Sequence, residues 1–468
     1  MIDTTPNKPA NVIPYPFPPG MPESVDCEVK VDGTPVFVHR TEVADVALFA
    51  VRGACEVRVT WNRDIESAVV RPLSRHIEPR IEGRTVCFTV DGPGHLCLEV
   101  NDDISRPLFL FVDPPETDVP APGVEGVRYF EGGRIHEVGE LRVADGETVY
   151  LAPGAVLHGI VRADGASGIR IRGRGILDGR VREEKTRFVE VKNCAGVELR
   201  DVLVLGSFGW TVVPWGCRDV RLCNTKIFSW RANDDGLDIC SCRDVVVEDC
   251  FFRTLDDCIA VKAPRGDRSH DADVDGVRIR RSVFWNAEWG NAMEIGFELR
   301  TARIGDIVWE DCDIIRVERG AVFSVHNGDW AEVEDVRFEN IRVEDARDKL
   351  LDLHVALSIY SRDCPERYHR GNHDRVPTGE GQWVPDSVLT DEEAAATQNA
   401  RGAIRRVRLK DITLLGDTLP RSQIIGCSKP DAIRDVVVEN LCHRGRRIAT
   451  AGESGLEVTD APPVVFQD

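Results

Sequence analysis

The stretch "CRDVVVEDCFF", Cys242–Phe252, decides the fold, because the chain repeats it. It is a β-branched run bracketed by acidic residues. Related phrases surround Val197 (AGVELRDVLVL), Val220 (CRDVRLCNTKI), Val277 (DGVRIRRSVFW), Ile307 (GDIVWEDCDI), Val336 (EDVRFENIRVE), Val407 (RRVRLKDITL) and Val436 (RDVVVENLCH). With Val245 of the first stretch included, the anchors from Val197 to Val336 advance by 23, 25, 32, 30 and 29 residues; the last two are 29 apart. A repeat of about 20 to 50 residues marks a solenoid. The unit carries strand-forming residues and almost no helical periodicity, so each turn closes only by stacking on its neighbours. The expected fold is therefore all-β, a parallel β-helix. One step is irregular. Val336 and Val407 lie 71 residues apart, and the segment at about 361–402 is polar, as in a long loop or lid beside the coil.

Working outward, residues 1–24 form a Pro-rich N-terminal arm. Residues 25–113 carry short alternating strands with turn signals and predict a small β-sandwich. Residues 114–124 are a stiff Pro-rich linker, and residues 125–468 are the solenoid. With 468 residues the chain is too long for one ordinary core. Its net charge of −20 argues against nucleic acid, anionic membranes and polyanionic substrates, unless a local basic pocket overrides the field. No apolar run approaches the length of a membrane span. The 15 cysteines show no zinc-like pairing with His and are expected to be reduced apolar fillers. No secretory leader is visible, so the expected location is cytoplasmic; removal of a leader would make the protein secreted. A homo-oligomer is compatible with the sequence.

Acidic clusters stand about one repeat apart. "NDDGLDICS" holds Asp234, Asp235 and Asp238; "LDDCIAVK" holds Asp256 and Asp257. The second strands of successive repeats can be stacked in register, through "NAMEIGF", "AVFSVHN" and "LLDLHVA". If Leu237/Ile239, Ile259/Val261, Met293/Ile295, Phe323/Val325 and Leu351/Leu353 point inward, the outward columns hold Asp235, Asp238, Asp257, Lys262, Asn291, Glu294, Ser324, His326, Asp352 and His354. Stacked strands lie about 4.8 Å apart, so Asp235 and Asp257 become lateral neighbours. Like charges that close raise at least one pKa, an arrangement suited to acid–base catalysis. The competing reading is a solvated or Ca²⁺-binding acidic face.

These residues resemble a known group. "NDDGLDI" and "LDDCIAVK", with "VYLAPGAVLHG" and "IRGRGILDG" upstream, resemble the polygalacturonase family, glycoside hydrolase family 28. They also resemble its dextranase and isopullulanase relatives, family 49, which place a β-sandwich before a right-handed β-helix. The resemblance implies a right-handed, pectin-lyase-like solenoid and metal-independent, inverting hydrolysis of O-glycosidic bonds with no cofactor. It implies that Asp235 and Asp257 hold the attacking water and that Asp256 protonates the leaving oxygen. The departures concern the substrate. Asp234 replaces the Thr of N-T-D-G, Asn291 stands at the His of G-H-G, and Ser324 to His326 stand where R-I-K would be. Without that Arg and Lys, a neutral glycan is expected rather than plain polygalacturonate.

Asp238, Glu294 and His326 are then candidates to hold sugar hydroxyls. Lys262 is a candidate to pair with Asp257 or touch the sugar, and Asn291 shares the same face. Trp210, Trp215, Trp230, Trp289 and Trp330 fall near turns flanking these strands; Trp215, Trp289 and Trp330 are the candidate sugar platforms. Two rivals remain: a polysaccharide lyase or epimerase, and a non-catalytic glycan-binding solenoid.

Overall fold

Each anchor phrase folds into a short strand held between two corners of left-handed backbone. In the computed structural model, which describes residues 11–369, 382–427 and 431–467, the residue before each anchor has φ between +51° and +72°. These residues are Gly196, Asp219, Asp244, Gly276, Asp306, Asp335, Arg406 and Asp435. The residue four places after each anchor has φ between +47° and +71°: Asp201, Asn224, Asp249, Arg281, Asp311, Asn340, Asp411 and Asn440. Asp and Asn tolerate this region because their short side chains bond locally, which explains why they recur at these two places. The second corner is also tied from coil to coil. Asn224 Nδ2 donates to Asp201 Oδ1 at 2.7 Å, Arg281 Nε to Asp249 Oδ1 at 2.8 Å, and Asn440 Nδ2 to Asp411 Oδ1 at 2.7 Å.

Between corners the strands pair in parallel with the strand one coil away. Val220, Val245, Val277, Ile307, Val336, Val407 and Val436 stand opposite one another in turn. Leu237, Ile259, Met293, Phe323 and Leu351 form the equivalent row on the second face. This is a right-handed parallel β-helix, the hand that parallel crossovers take almost without exception. Its interior is filled by like residues in register, such as Phe252 on Phe284 (5.2 Å between centroids) and Trp309 on Phe338 (5.0 Å). Cys194, Cys217 and Cys242 follow one another at a turn; the Cys194 and Cys217 amides each donate to the next sulfur at 3.4 Å. No disulfide is formed among the described residues.

The chain divides into two compact units: Met1–His136 with Tyr150–Leu157 and Gly173–Ile176, and the remainder through Asp468. The first contains a six-stranded and a five-stranded sheet. Val29, Val57, Val59 and Val86 from one share a single apolar core with Phe49, Leu98, Leu110 and Val112 from the other. Pairing is antiparallel except where Leu108–Asp113 runs parallel to Asp45–Val51. Part of the stretch read as an arm belongs to this sheet: Val12–Pro14 pairs with Phe49–Val51, and Tyr15 and Met21 are buried. Residues 1–10 of that arm lie outside the described residues.

The long step is one coil with an insertion, since Glu332–Val343 pairs directly with Ala403–Leu414. The inserted segment is not purely loop. It contains the helix Asp391–Ala400, opened by a capping box between Thr390 and Glu393. Residues 370–381 of the expected loop lie outside the described residues. No described helix is long and apolar enough to cross a membrane.

Candidate active site

The turns that enter two neighbouring rungs carry the acids. Trp210–Asp235–Asp257–Asn291 forms one row, continued outward from the paired strands by backbone bonds such as Gly236 N to Asp257 O at 2.8 Å and Cys258 N to Asn291 O at 2.9 Å. Asp234, which departs from the resembling motif, braces the turn. Its Oδ1 accepts from the amides of Leu255 and Asp256, each at 3.0 Å, and its Oδ2 from Arg231 N at 2.6 Å. Asp256 Oδ1 accepts from Asp257 N at 3.0 Å. The Asp256 carbonyl accepts from Thr254 Oγ1 at 2.6 Å and Asn286 Nδ2 at 2.8 Å. Gly290 lies against this turn with φ +70°, and a Cβ there would sit 2.3 Å from Asp257 N. Only glycine lets the chain pass so closely.

Asp235, Asp256, Asp257, Lys262 and Asn291 line one pocket with Asn233, Trp210, Gly296, Phe297, Glu298, Tyr360 and Gln382. The structure thus brings together all three predicted acids and two of the predicted substrate-binding residues. Asp235 is 3% exposed and Asp257 8%. Lys262 Nζ reaches Asp235 Oδ2 at 2.8 Å and Asp238 Oδ1 at 2.9 Å, so its partner is Asp235 rather than Asp257. Burial disfavours the Lys262 ammonium, but Asp235 and Asp238 outweigh it and raise its pKa well above that of an ordinary lysine. Burial, then repulsion from Asp235, pushes the Asp256 carboxyl up to about 6. The same two causes, with Asp256 and Glu294 added, push Asp257 well up. Asp257 Oδ1 is held by Asn291, through N at 2.7 Å and Nδ2 at 3.3 Å. The pocket therefore holds a carboxylate locked to an ammonium beside two carboxyls biased toward their protonated forms.

Three predicted sugar contacts are corrected. Asp238 and Glu294 are 0% exposed, His326 is buried, and none of them lines the pocket. They form a layer beneath it. Asp238 holds Lys262. Glu294 accepts from Asn291 Nδ2 at 2.9 Å and from Ser324 Oγ, and lies 3.1 Å from His326 Nδ1. His326 Nε2 lies 3.3 Å from Asp352 Oδ2. Burial disfavours charge on His326, but Glu294 and Asp352 outweigh it and push its pKa up to about 10. The inserted segment covers this layer: Trp383 stacks on His354 at 3.8 Å and stands 5.2 Å from Phe297. Trp289 and Trp330 do not line the pocket. Trp289 is exposed beneath Arg319, and Trp330 Nε1 donates to Asp267 O at 3.1 Å. Trp215 lines an adjacent cavity.

Phe297, Glu298, Tyr360 and Gln382 escaped sequence reasoning. Ile259–Val261 pairs residue for residue with Met293–Ile295, but Ala263 then pairs with Leu299, so three residues stand opposite Lys262. That bulge places Phe297 and Glu298 at the pocket. Tyr360 and Gln382 come from the inserted segment, which follows no repeat.

Residues 157–351 match Glycosyl hydrolases family 28. The matched segment contains Asp235, Asp256 and Asp257 and all of the pocket except Tyr360 and Gln382. A "Probable polygalacturonase" of Vitis vinifera is 28% identical over 162 residues, 34% of this chain. The match spans 33%, about a third, of that relative's length. Among solved structures, Dex49A from Penicillium minioluteum is similar over 95% of this chain and 96% of its own, with a TM-score of 0.62 and 12% identity. The fold is shared with that protein along almost the whole chain, the first unit as well as the matched segment.

Proposed function

We propose that this chain is a glycoside hydrolase that cleaves O-glycosidic bonds of an oligo- or polysaccharide by a single inverting displacement. The observation that carries the reading is the division of labour among three neighbouring carboxyls. Asp256 is pushed up to about 6 and so keeps its proton into mildly acidic pH, well above the ordinary carboxyl range, as a general acid requires. Asp235 is held at 2.8 Å by a buried ammonium, the counter-charge beside which a carboxylate serves as a base. In the proposed reaction Asp256 gives its proton to the leaving glycosidic oxygen. A water between Asp235 and Asp257 loses a proton to Asp235 and attacks the anomeric carbon from the opposite face. Asp257 orients that water, with one oxygen fixed by Asn291. These transfers pass between side chains, water and the leaving oxygen and need no metal. The family 28 match over the acid-bearing rungs supports the same reaction class.

The sugar at the acids is proposed to be neutral. Among the described residues, four acidic side chains line this pocket, and its one ammonium is already paired with Asp235 and Asp238, so a carboxylate would meet repulsion there. Proton NMR of the first turnover tests the reading: the new reducing end should carry the anomeric configuration opposite to that of the bond cleaved. Retention would overturn the single displacement. An unsaturated product absorbing in the near ultraviolet would indicate elimination, and binding without any product would indicate a glycan-binding solenoid.

A further inference from the structure

A string of buried side chains leads from Asp257 away from the pocket, and its first link is the Asn291 amide. Asn291 Oδ1 accepts from Ala321 N at 2.8 Å. Its Nδ2 donates to Glu294 Oε2 at 2.9 Å and to Asp257 Oδ1 at 3.3 Å. The acceptor and both donors of the amide are therefore in use. Turning it over would set its oxygen against two carboxyls and its nitrogen against a donor, so a single orientation is satisfied. Among the described residues, Asn291 is the one side chain that donates to Asp257. Both of its bonds go to Oδ1, which leaves Oδ2 for the attacking water.

The second link is Glu294. It is fully buried, and its Oε2 gathers the Asn291 amide, the Ser324 hydroxyl and, at 3.1 Å, His326 Nδ1. His326 Nε2 lies 3.3 Å from Asp352 Oδ2, which Lys349 Nζ meets at 2.8 Å. Charge thus alternates outward from Glu294: carboxylate, imidazolium, carboxylate, ammonium. Phe297 stacks on the His326 ring at 4.7 Å, and Trp383 meets it edge-on at 5.6 Å. Beyond Asn291, no member of this string lines the pocket. A buried ion network adds little stability over apolar side chains of similar volume, so stability does not account for a carboxylate at position 294. What that carboxylate does, and an apolar residue could not, is hold the amide that holds Asp257.

We propose that Glu294 is a positioning residue, which acts through the Asn291 amide to hold Asp257 with its second oxygen left for the attacking water. His326 supplies the counter-charge that keeps Glu294 ionised at this depth. The proposal rests on the hydrolase reading for its chemistry and adds the groups that aim the water. Glu294 also bears on the charge of Asp257. Burial, then repulsion from Asp235, Asp256 and Glu294, holds the Asp257 carboxyl well above the ordinary range, with Lys262 opposing them. Loss of the Glu294 charge therefore lets Asp257 ionise at lower pH.

Kinetics and crystallography of the full chain test the proposal. Glu294→Gln keeps the shape of the side chain and removes its charge. At the plateau of the pH profile, kcat should fall about tenfold with KM little changed, because a charge-assisted bond is about twice as strong as a neutral one. The low-pH limb of kcat/KM, where the carboxylates that hold the water take up a proton, should move to lower pH. The high-pH limb should stay, since it reports Asp256, which burial and Asp235 raise. A merely structural defect would move neither limb. Asn291→Ala should lower kcat by a similar factor, and adding Glu294→Gln to it should lower kcat less than about twofold further, because the connection is already cut. Losses that multiply in the double variant, or a low-pH limb that stays in place in Glu294→Gln, would overturn the proposal. The crystal structure of the Glu294→Ala chain should show the Asn291 amide turned and Asp257 Oδ1 without its Nδ2 partner; both groups in their parent positions would overturn it too. If that chain does not fold, the Gln series decides. The crystallographic result needs no turnover. Retention of configuration, or no cleavage, strikes the hydrolase reading and leaves the positioning of Asp257 to be judged from the coordinates, whereas an inverting enzyme indifferent to Glu294→Gln strikes this proposal alone.

Discussion

Three carboxyls within one pocket differ in what they can do because their neighbours differ. Asp256 is desolvated and faces Asp235, while Asp235 faces Lys262. Replacing Asp256 with Asn should lower kcat about 10²-fold or more on a substrate with a poor leaving group, with KM little changed. Full rate in that variant would remove Asp256 from the role of proton donor. The parent enzyme should lose activity as pH rises through about 6, because the acid is then deprotonated, and kcat/KM should fall roughly tenfold per unit beyond that point. Lys262 is the counter-charge for two buried carboxyls, so Lys262→Met leaves Asp235 and Asp238 uncompensated. Denaturant unfolding should report a loss of about 3–5 kcal/mol, together with loss of turnover. Asp235 and Asp257 were legible in the sequence because each sits two places before an apolar anchor, Leu237 or Ile259, and the pairing of those anchors fixes its neighbour. Asp238, Glu294 and His326 were misplaced for a physical reason. Alternation states that a side chain leaves the coil, but not that another segment covers it. Lys262 was a candidate to pair with Asp257 or to touch the sugar; it lines the pocket, and its ion pairs are with Asp235 and Asp238.

At the scale of elements, the site depends on the turn between Thr254 and Asp257, and that turn depends on Asp234. One carboxylate takes three amide hydrogens from two coils. Asp234→Ala should release Asp256 from its position, lowering kcat more than it raises KM. Bonds to a charged acceptor contribute about 1.5–3 kcal/mol each before relaxation, so the unfolding free energy should also fall by a few kcal/mol. Normal kcat in a folded Asp234→Ala chain would show that the turn holds itself. The strands and their stacking were readable from period and β-branching alone. The helix Asp391–Ala400 was not, since ten residues with little amphipathic pattern lie inside a segment that no repeat predicts. The bulge opposite Lys262 was equally hidden. Two extra residues within one strand, an even number, leave the apolar alternation on either side intact.

At the scale of the molecule, the repeating corner is what makes the coils equivalent. Left-handed backbone disfavours residues with a Cβ by about 1–2 kcal/mol unless a local bond compensates. Asn340→Ala should therefore lower the unfolding free energy by about 1 kcal/mol, whereas Asn340→Gly should be nearly neutral. Equal effects of the two would indicate that the link from Asn340 to Asp311, rather than the backbone, stabilises that corner. Steps between anchors range from 23 residues to 71, yet the anchors stay in register throughout. Lengthening a coil between its fixed corners meets only loop-closure entropy, about 0.6 kcal/mol for each doubling of the insert. Ligand choice and thermodynamic robustness are thereby decoupled. A graft at the 71-residue step can reshape the walls around Tyr360 and Gln382 while the proton-transfer machinery on the neighbouring rungs is left undisturbed.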